Sequence, residues 1–191
     1  MRQASDQEFV DRVLQGEVNA FTMLLERHKD LVFSICLRVL GNREEAEEAA
    51  QDCFLNAYRS LEKFRGHAAF STWLYRIAYN TSVSRTRKKK FEWPGLDGDL
   101  LERMEDEMPD ELSETEWQEE REASLRDTIK LLPERDQLLI ELYYTRTLGM
   151  EEIGEITGLS VSNVKVRMHR IRKQLLNLLQ GQLATAEEER E

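Results

Sequence analysis

Apolar residues recur every three or four positions along most of this chain, and no run alternates apolar with polar residues as a half-buried strand does. Such spacing gives each helix one apolar face, which becomes stable when it packs against other helices. The predicted fold class is therefore all-α. At 191 residues, the chain is long enough for one medium domain or two small helical bundles.

Residues with capping chemistry predict where the helices of the N-terminal part begin and end. Ser5 and Glu8 have the spacing of a capping box and predict the start of a first helix. Gly41 predicts a left-handed residue at the end of a long second helix, and Asn42 predicts the cap of a third. Ser71 is predicted to cap a fourth helix, which ends in basic residues.

Charge is unevenly distributed along the chain. Residues 91–123 contain fourteen acidic residues and two basic ones, a net charge of −12, whereas the whole chain carries −10 and the remainder therefore +2. We interpret this stretch as an acidic linker with a short helix near its end. It joins a domain at residues 1–90 to a second domain at 124–180, which is followed by a frayed tail at 181–191. Because the acidic residues are segregated, the net charge does not exclude nucleic-acid binding by either domain.

The second predicted domain contains the pattern of a helix-turn-helix. A short helix, MEEIGEIT, is followed by GLS and by a longer helix, with Gly158 placed to end the first and Ser160 to cap the second. The stretch from Ser160 to Leu175 carries five lysine or arginine residues and no acidic one. On a helical wheel the side facing away from the core and its flanks carry the candidate DNA contacts, which are Ser162, Lys165, Val166, Arg167, His169, Arg170, Arg172 and Lys173.

The alternative for this segment is a solvated basic face without a ligand. The helix dipole favours cations near a C-terminus, which accounts for Arg172 and Lys173. It does not account for Lys165 and Arg167 in the first two turns, where the dipole makes cations mildly unfavourable. We therefore favour DNA binding.

A second basic cluster follows a group of aromatic residues near the end of the first domain. Cations beside exposed aromatic rings suit unpaired DNA, because the rings stack on bases while the cations follow the backbone. The alternative is that the rings belong to the core, and at least half of them are expected to be buried. The cluster is Arg85, Arg87, Lys88, Lys89 and Lys90, and the aromatic residues are Phe64, Phe70, Trp73, Tyr75 and Tyr79.

The sequence shows no pattern typical of an enzyme, a metal site or a membrane protein. The three histidines are scattered, and neither a phosphate-binding loop nor a nucleophile motif is present, so no catalytic residue, metal or cofactor is predicted. Cys36 and Cys53 lie in apolar helical patterns that are typical of small buried thiols. With no apolar run of membrane-spanning length, we expect a cytoplasmic protein without membrane insertion.

Three segments, in this order, resemble the extracytoplasmic-function sigma factors of bacterial RNA polymerase. They are GNREEAEEAAQDCFLNAYRSLEKFRG, FSTWLYRIAYN and LPERDQLLIELYYTRTLGMEEIGEITGLSVSNVKVRMHRIRKQL. This group comprises the compact sigma-70 factors that keep only the second and fourth conserved domains, and the resemblance covers almost the whole chain. It implies a transcription initiation factor that binds core RNA polymerase and directs it to promoters.

For the second bundle, the resemblance implies recognition of the −35 element as duplex DNA. Lys165, Val166, His169 and Arg170 match base-contacting positions of the family. Arg167 and Arg172 match phosphate contacts. Ser160 and Ser162 stand where family members often have proline and glycine, which alters the approach to the recognition helix.

For the first bundle, the resemblance implies capture of the −10 element as a separated strand. The loop from Phe64 to Ala69, together with Asn80, would form a pocket for a flipped-out base. Backbone contacts are expected from the nearby cations. The candidate residues are Phe64, Arg65, Gly66, His67, Ala68, Arg76, Asn80, Arg85, Lys88 and Lys89.

The resemblance also implies protein partners. The third helix would dock on the β′ clamp helices of core RNA polymerase, which also contacts the factor through its β subunit, and its candidate polar positions are Glu48, Gln51, Asp52, Asn56 and Arg59. A cognate anti-sigma factor is expected as well. The acidic linker either mimics nucleic acid in a basic polymerase channel or is a disordered spacer. The alternative function is a stand-alone helix-turn-helix regulator, which would dimerise on a palindromic site.

Overall fold

The computed structural model describes residues 4–86 and 119–188, with side chains described for 4–86 and 125–180. Within these ranges all regular structure is helical, which confirms the predicted fold class. The chain divides into two compact units, one built from the helices before residue 87, with which residues 155–158 are grouped, and one built from the rest of the helices after residue 118. Most of the predicted acidic linker and the whole basic run at 87–90 lie outside the described residues.

Four α-helices and one short 3-10 turn make up the described part of the first unit. Helix α2 packs against α3 and α4, these two pack against each other, and α1 packs on α2. Leu24, Ile35 and Leu74 are fully buried at their centre. The elements are α1 (Asp6–Leu14), α2 (Ala20–Leu40), α3 (Arg43–Ser60), the 3-10 turn (Leu61–Lys63) and α4 (Phe70–Thr86).

Three of the predicted helix boundaries in this unit are confirmed by their hydrogen bonds. The Ser5 hydroxyl accepts from the Glu8 amide at 3.3 Å, and the Glu8 carboxylate accepts from the Ser5 amide at 2.6 Å, which completes the capping box. Gly41 ends α2 with a φ of +67°. The Asn42 side chain accepts from the Glu45 amide at 3.0 Å and caps α3.

The predicted cap of α4 at Ser71 is wrong, because the helix already begins at Phe70. Phe70 is buried and its ring lies 5.8 Å from the rings of both Phe64 and Trp73. Burial of this aromatic side chain in the first helical turn stabilises the earlier start more than a serine cap one residue later would. Ser71 therefore lies inside the first turn.

A partly buried chain of hydrogen bonds attaches α1 to α2 and α4. One Asp6 carboxylate oxygen lies 2.8 Å from His28 Nε2, the other accepts from Arg27 at 2.9 Å, and His28 Nδ1 lies 2.7 Å from the Tyr75 hydroxyl. The hydrogen bond with His28 is the main cause that lowers the pKa of the Asp6 carboxyl below its ordinary value of 3.8; desolvation opposes it, and Arg27 adds to it. The ionised form of Asp6 is thus the one that holds α1 in place.

We expect Asp6→Asn to lower the free energy of unfolding by about 1–3 kcal/mol at pH 7, because hydrogen bonds to a charged acceptor are lost. A carboxyl with a depressed folded pKa contributes stability above its unfolded pKa and loses it as the pH falls through the folded value. The difference between wild type and variant should therefore be constant above about pH 4 and shrink below it. Urea unfolding across this pH range measures it. Asp11→Asn, an exposed carboxylate of α1, is the control, and an equal loss for both would contradict the assignment.

Cys36 and Cys53 are fully buried, as the apolar patterns around them predict. Burial raises the pKa of both thiols, so neither is a reactive thiolate at neutral pH. The Cys53 thiol faces the carbonyl of Leu74 at 3.8 Å. Both side chains therefore serve as small core residues.

The described part of the second unit contains four more α-helices and a π-helical turn, and α5 and α6 pack against α8. The elements are α5 (Glu119–Lys130), α6 (Glu134–Ile140), the π turn (Glu141–Thr145), α7 (Met150–Thr157) and α8 (Val161–Glu188). Helix α5 begins near the end of the predicted linker, where the sequence predicts a short helix. Helix α8 differs from the prediction, because it continues through most of the predicted frayed tail, where alanine and glutamate are strong helix formers. Among the described helices, none is both long and apolar enough to cross a membrane.

Candidate nucleic-acid and polymerase interfaces

The predicted helix-turn-helix is present as α7, a tight turn and α8. Gly158 ends α7 with a φ of +75°, and the Ser160 hydroxyl accepts from the Asn163 amide at 3.2 Å to cap α8. A Cβ on Gly154 would lie 2.8 Å from the carbonyl oxygen of Leu159, so α7 passes directly against the turn. Only glycine allows this approach without a shift of the backbone.

The outward surface of α8 carries most of the predicted contacts. Lys165, Arg170 and Lys173 are exposed, and His169 is half-buried. We call these four residues the cationic face. Ser160 and Ser162 are exposed beside it at the start of the helix. On the opposite side of the helix, which the wheel predicts to face the core, Val164, Met168 and Ile171 are buried and Leu175 is half-buried.

The position of Val166 differs from the helical-wheel prediction. The wheel predicts that it faces outward, but only 7% of its surface is exposed. A helical wheel ranks positions by angle alone and does not show which side chains cover the first turns of the helix. Burial of the valine is favourable because removal of an apolar side chain from water is stabilising. The predicted outward position is therefore wrong for this residue, and a base contact through it would require that it first become accessible.

Two arginines of α8 lie close to a carboxylate of α6. Burial raises the pKa of the Asp136 carboxyl above its ordinary value, and the positive charges of Arg167 and Arg170 act in the opposite direction. Arg167 is half-buried and Arg170 exposed. The sequence pattern did not anticipate this acidic residue beside the basic helix.

Arg172, predicted as a phosphate contact, lies against two tyrosines of the π turn. Its Nε donates to the Tyr144 hydroxyl at 2.8 Å. Its guanidinium carbon lies 5.7 Å from the ring centroid of Tyr143 and 5.8 Å from that of Tyr144. The arginine is thus oriented by neutral groups.

The loop predicted to recognise the −10 element is built on an aromatic cluster. The half-buried Phe64 ring lies 5.8 Å from that of Phe70 and 5.3 Å from that of Trp73. The following residues Arg65, Gly66 and His67 are exposed, with Gly66 at a φ of +70°, and Ala68 is half-buried. At least half of the five aromatic residues are expected to be buried, and three of them, Phe70, Tyr75 and Tyr79, are in the core.

An exposed stripe of α4 continues from this loop. Arg76 and Asn80 are exposed and follow the half-buried Trp73 at helical spacing, so the three side chains share one side of the helix. Asn80 lies about 10 Å along the axis from Trp73. Lys88 and Lys89 lie outside the described residues.

Arg85 joins two sites that were predicted separately. Its guanidinium pairs with the carboxylate of Asp52 and, at 3.3 Å, with that of Glu48. The hydrogen bond to Asp52 is the main cause that raises the pKa of Arg85. An arginine predicted to contact DNA therefore pairs with two carboxylates predicted to contact polymerase, and these carboxylates neutralise much of its charge.

The outward side of α3 contains the predicted docking residues and an apolar side chain that sequence reasoning missed. Gln51, Asn56 and Arg59 are exposed. Leu55 lies in the middle of this surface with 52% exposure, and Tyr58 beside it is 41% exposed. A leucine at the centre of an otherwise polar helix face was the available signal. We call Glu48, Gln51, Asp52, Leu55, Tyr58 and Arg59 the α3 face.

Comparison with known proteins gives concordant matches for both units. The family model described as Sigma-70 region 2 matches residues 24–92, and the one described as Sigma-70, region 4 matches residues 122–175. The chain is 35% identical over 188 residues to the ECF RNA polymerase sigma factor SigW of Bacillus subtilis (strain 168), across 88% of this chain and 96% of that relative.

Two solved structures share the fold. The structure of CnrH in complex with the cytosolic domain of CnrY aligns with a TM-score of 0.60 and 23% identity, over 93% of this chain and 99% of that one. The sigma factor RpoE in complex with the anti-sigma factor NepR from Bartonella quintana aligns with a TM-score of 0.57 and 18% identity, over 84% and 96%.

Proposed function

The chain belongs to the extracytoplasmic-function sigma factors of the sigma-70 family, and from this membership we propose that its two units divide the recognition of one promoter. It is a transcription initiation factor that directs RNA polymerase to promoters, and a stand-alone helix-turn-helix regulator is not favoured. The family is not a catalytic one, so the chemistry of transcription belongs to the polymerase.

The second unit is proposed to read the −35 element as duplex DNA. The observation that carries this proposal is the cationic face of α8, held at a helix-turn-helix by the close approach of Gly154 to the turn. A recognition helix in the major groove uses such side chains for base edges and its flanking cations for phosphates. Lys165, His169 and Arg170 are assigned to bases and Arg167 and Arg172 to phosphates. Ser160, Ser162 and Lys173 complete the proposed surface, and the buried Val166 does not belong to it.

The first unit is proposed to hold the −10 element as a single strand. The loop from Phe64 to Ala68 lies against an aromatic cluster, and the exposed stripe of Arg76 and Asn80 extends away from it. Aromatic side chains and cations along one groove suit a separated strand whose bases are unstacked. Lys88 and Lys89 are proposed to contact its backbone. For Arg85 the ion pairs with Glu48 and Asp52 favour a role in orienting these carboxylates instead.

The α3 face is proposed to dock on the β′ clamp helices of core RNA polymerase. Interfaces of this kind place an apolar anchor inside a polar rim. Leu55 is positioned to be the anchor, since it is exposed among the polar side chains of Glu48, Asp52 and Arg59. Asn56 and Gln51 would complete the rim.

We expect Leu55→Ala to weaken binding of core RNA polymerase by about 1–2 kcal/mol, because the exposed part of the leucine is buried only in the complex. The free energy of unfolding should change by less than about 0.5 kcal/mol, since the site is exposed in the free chain and alanine favours helix. Titration with core polymerase and urea unfolding measure the two quantities. Leu14→Ala, a leucine of similar exposure on α1, is the control and should bind as wild type. Equal weakening by both variants would remove Leu55 from the interface.

The remaining partners follow from the same proposal. A cognate anti-sigma factor is proposed, supported by the fold shared with RpoE in its complex with the anti-sigma factor NepR. The factor is proposed to act in the cytoplasm, where promoter DNA and polymerase meet. The acidic residues of 91–123 are proposed to occupy a basic channel of the polymerase as a mimic of nucleic acid.

Run-off transcription with core RNA polymerase on a library of genomic promoters tests the proposed function. Transcripts should begin at a defined set of sites only when the factor is added, and the set should share one −35 and one −10 sequence. Failure to join core polymerase, or joining without a change in the start sites, would contradict the proposal. Tight, specific binding of the free chain to a palindrome would support the stand-alone regulator instead.

A further inference from the structure

Two consecutive tyrosines and an arginine form a cluster on the flank of α8. Tyr143 and Tyr144 lie in the π turn, and their rings meet edge to face with centroids 4.9 Å apart and an interplanar angle of 89°. The Arg172 guanidinium lies near both rings, at 5.7 Å and 5.8 Å from their centroids. We call Tyr143 and Tyr144 the tyrosine cradle. No base contact was predicted for either tyrosine.

The backbone beneath the cradle is irregular. The amide of Arg146 donates to the carbonyl of Glu141 at 3.0 Å, a span of five residues rather than the four of an α-helix. Such π turns are rare and occur frequently at functional sites. Here the turn coincides with the two residues that meet Arg172. Tyr144 is also 52% exposed, although it packs against an arginine, so its outer edge remains accessible to a ligand.

Arg172 is oriented without being neutralised. Its Nε donates to the Tyr144 hydroxyl at 2.8 Å, and among the described residues no carboxylate pairs with it. Arg85 differs, since Glu48 and Asp52 compensate its charge. Because its Nε donates to a neutral acceptor, the Arg172 guanidinium keeps its positive charge. Its two terminal nitrogens can then donate to an external anion. A side chain held in place in this way loses less conformational entropy when it binds.

We propose that Tyr144 is a positioning residue for DNA binding: by accepting the hydrogen bond of Arg172, it presents the guanidinium to a backbone phosphate beside the −35 element. The inference rests on the proposed function of α8 and adds to it the group that orients a phosphate contact. A phosphodiester suits the planar fork of a guanidinium, which donates two parallel hydrogen bonds. Because every sequence carries the same phosphates, this contact strengthens binding without selecting bases.

The test measures the affinity of the full chain, reconstituted with core RNA polymerase, for duplex promoter DNA at several salt concentrations. Arg172→Ala should weaken binding roughly tenfold, and the slope of log K against log salt should fall by about one. Tyr144→Phe, which removes only the hydroxyl oxygen, should weaken binding roughly threefold with a nearly unchanged slope. Both losses should be the same on a fragment with a scrambled −35 element, because phosphates carry no sequence information.

A double variant separates positioning from direct contact. If Tyr144 acts through Arg172, then Tyr144→Phe costs little further affinity in the Arg172→Ala background. Additive losses of affinity in the double variant would overturn the positioning role. It would also be overturned if Tyr144→Phe lowered the free energy of unfolding by as much as it lowered the free energy of DNA binding. Lys130→Ala removes an exposed cation of the same unit that pairs with Asp127 and should bind as wild type.

Failure of this inference is distinguishable from failure of the proposed function. If the wild-type complex selects no promoter, the proposed function is wrong. If it selects promoters but Arg172→Ala binds DNA as tightly with an unchanged salt slope, only the inference is overturned. The same holds if Arg172→Ala and Tyr144→Phe leave DNA binding intact and weaken only the binding of an acidic protein partner.

Discussion

Arg170→Ala should reduce the use of the preferred promoters by about 1–3 kcal/mol and relax the preference at the −35 element, because a base contact is lost. Arg170 is exposed on the cationic face. The measurement is run-off transcription by the reconstituted polymerase, with matched and scrambled −35 elements in the same template.

The comparison of the two templates decides between a base contact and a phosphate contact. If Arg170 contacts a base, the variant and wild type should use the scrambled template equally, since the contact is already lost there. An equal loss on both templates would instead show that Arg170 contacts only phosphate. Arg172→Ala provides the opposite pattern, a loss that is independent of sequence.

The features that could be predicted from the sequence are those set by neighbours within a few residues. Gly158 and Ser160 mark the turn of the helix-turn-helix because a left-handed residue and a hydroxyl cap act within their own turn of chain. The capping box of Ser5 and Glu8 is confirmed for the same reason. The alternation of buried and exposed positions along α8 followed from the helical period, since one face of the helix must leave water.

The features that could not be predicted depend on contacts between distant parts of the chain. Arg85 meets Asp52 on another helix, 33 positions away, and no local pattern pairs them. The start of α4 is decided by packing of Phe70 on Phe64, which overrides the nearby serine cap. A helical wheel likewise does not show that Val166 is buried. These three misses lie in the predicted DNA and polymerase sites or next to them, because such sites bring side chains together from several helices.

Gly154→Ala should destabilise the second unit by about 1–3 kcal/mol, although alanine is the better helix former. Replacement of a glycine inside a helix by alanine normally gains up to about 1 kcal/mol. Here the new Cβ would lie 2.8 Å from the carbonyl oxygen of Leu159, and this backbone atom cannot rotate away as a side chain would. The turn between α7 and α8 must shift, so the steric cost exceeds the gain in helix propensity.

Hydrogen exchange of the α7 and α8 amides measures this loss in the second unit separately from the first. Gly149→Ala is the matched control, because its Cβ would meet only the Glu152 carboxylate at 3.6 Å, an ordinary contact. It should leave the exchange of these amides unchanged. Equal protection of these amides in the Gly154→Ala variant and wild type would show that the turn shifts without a loss of stability. Because the turn also sets the angle at which α8 enters the groove, Gly154→Ala should reduce −35 preference while selection of the −10 element, which belongs to the other unit, persists.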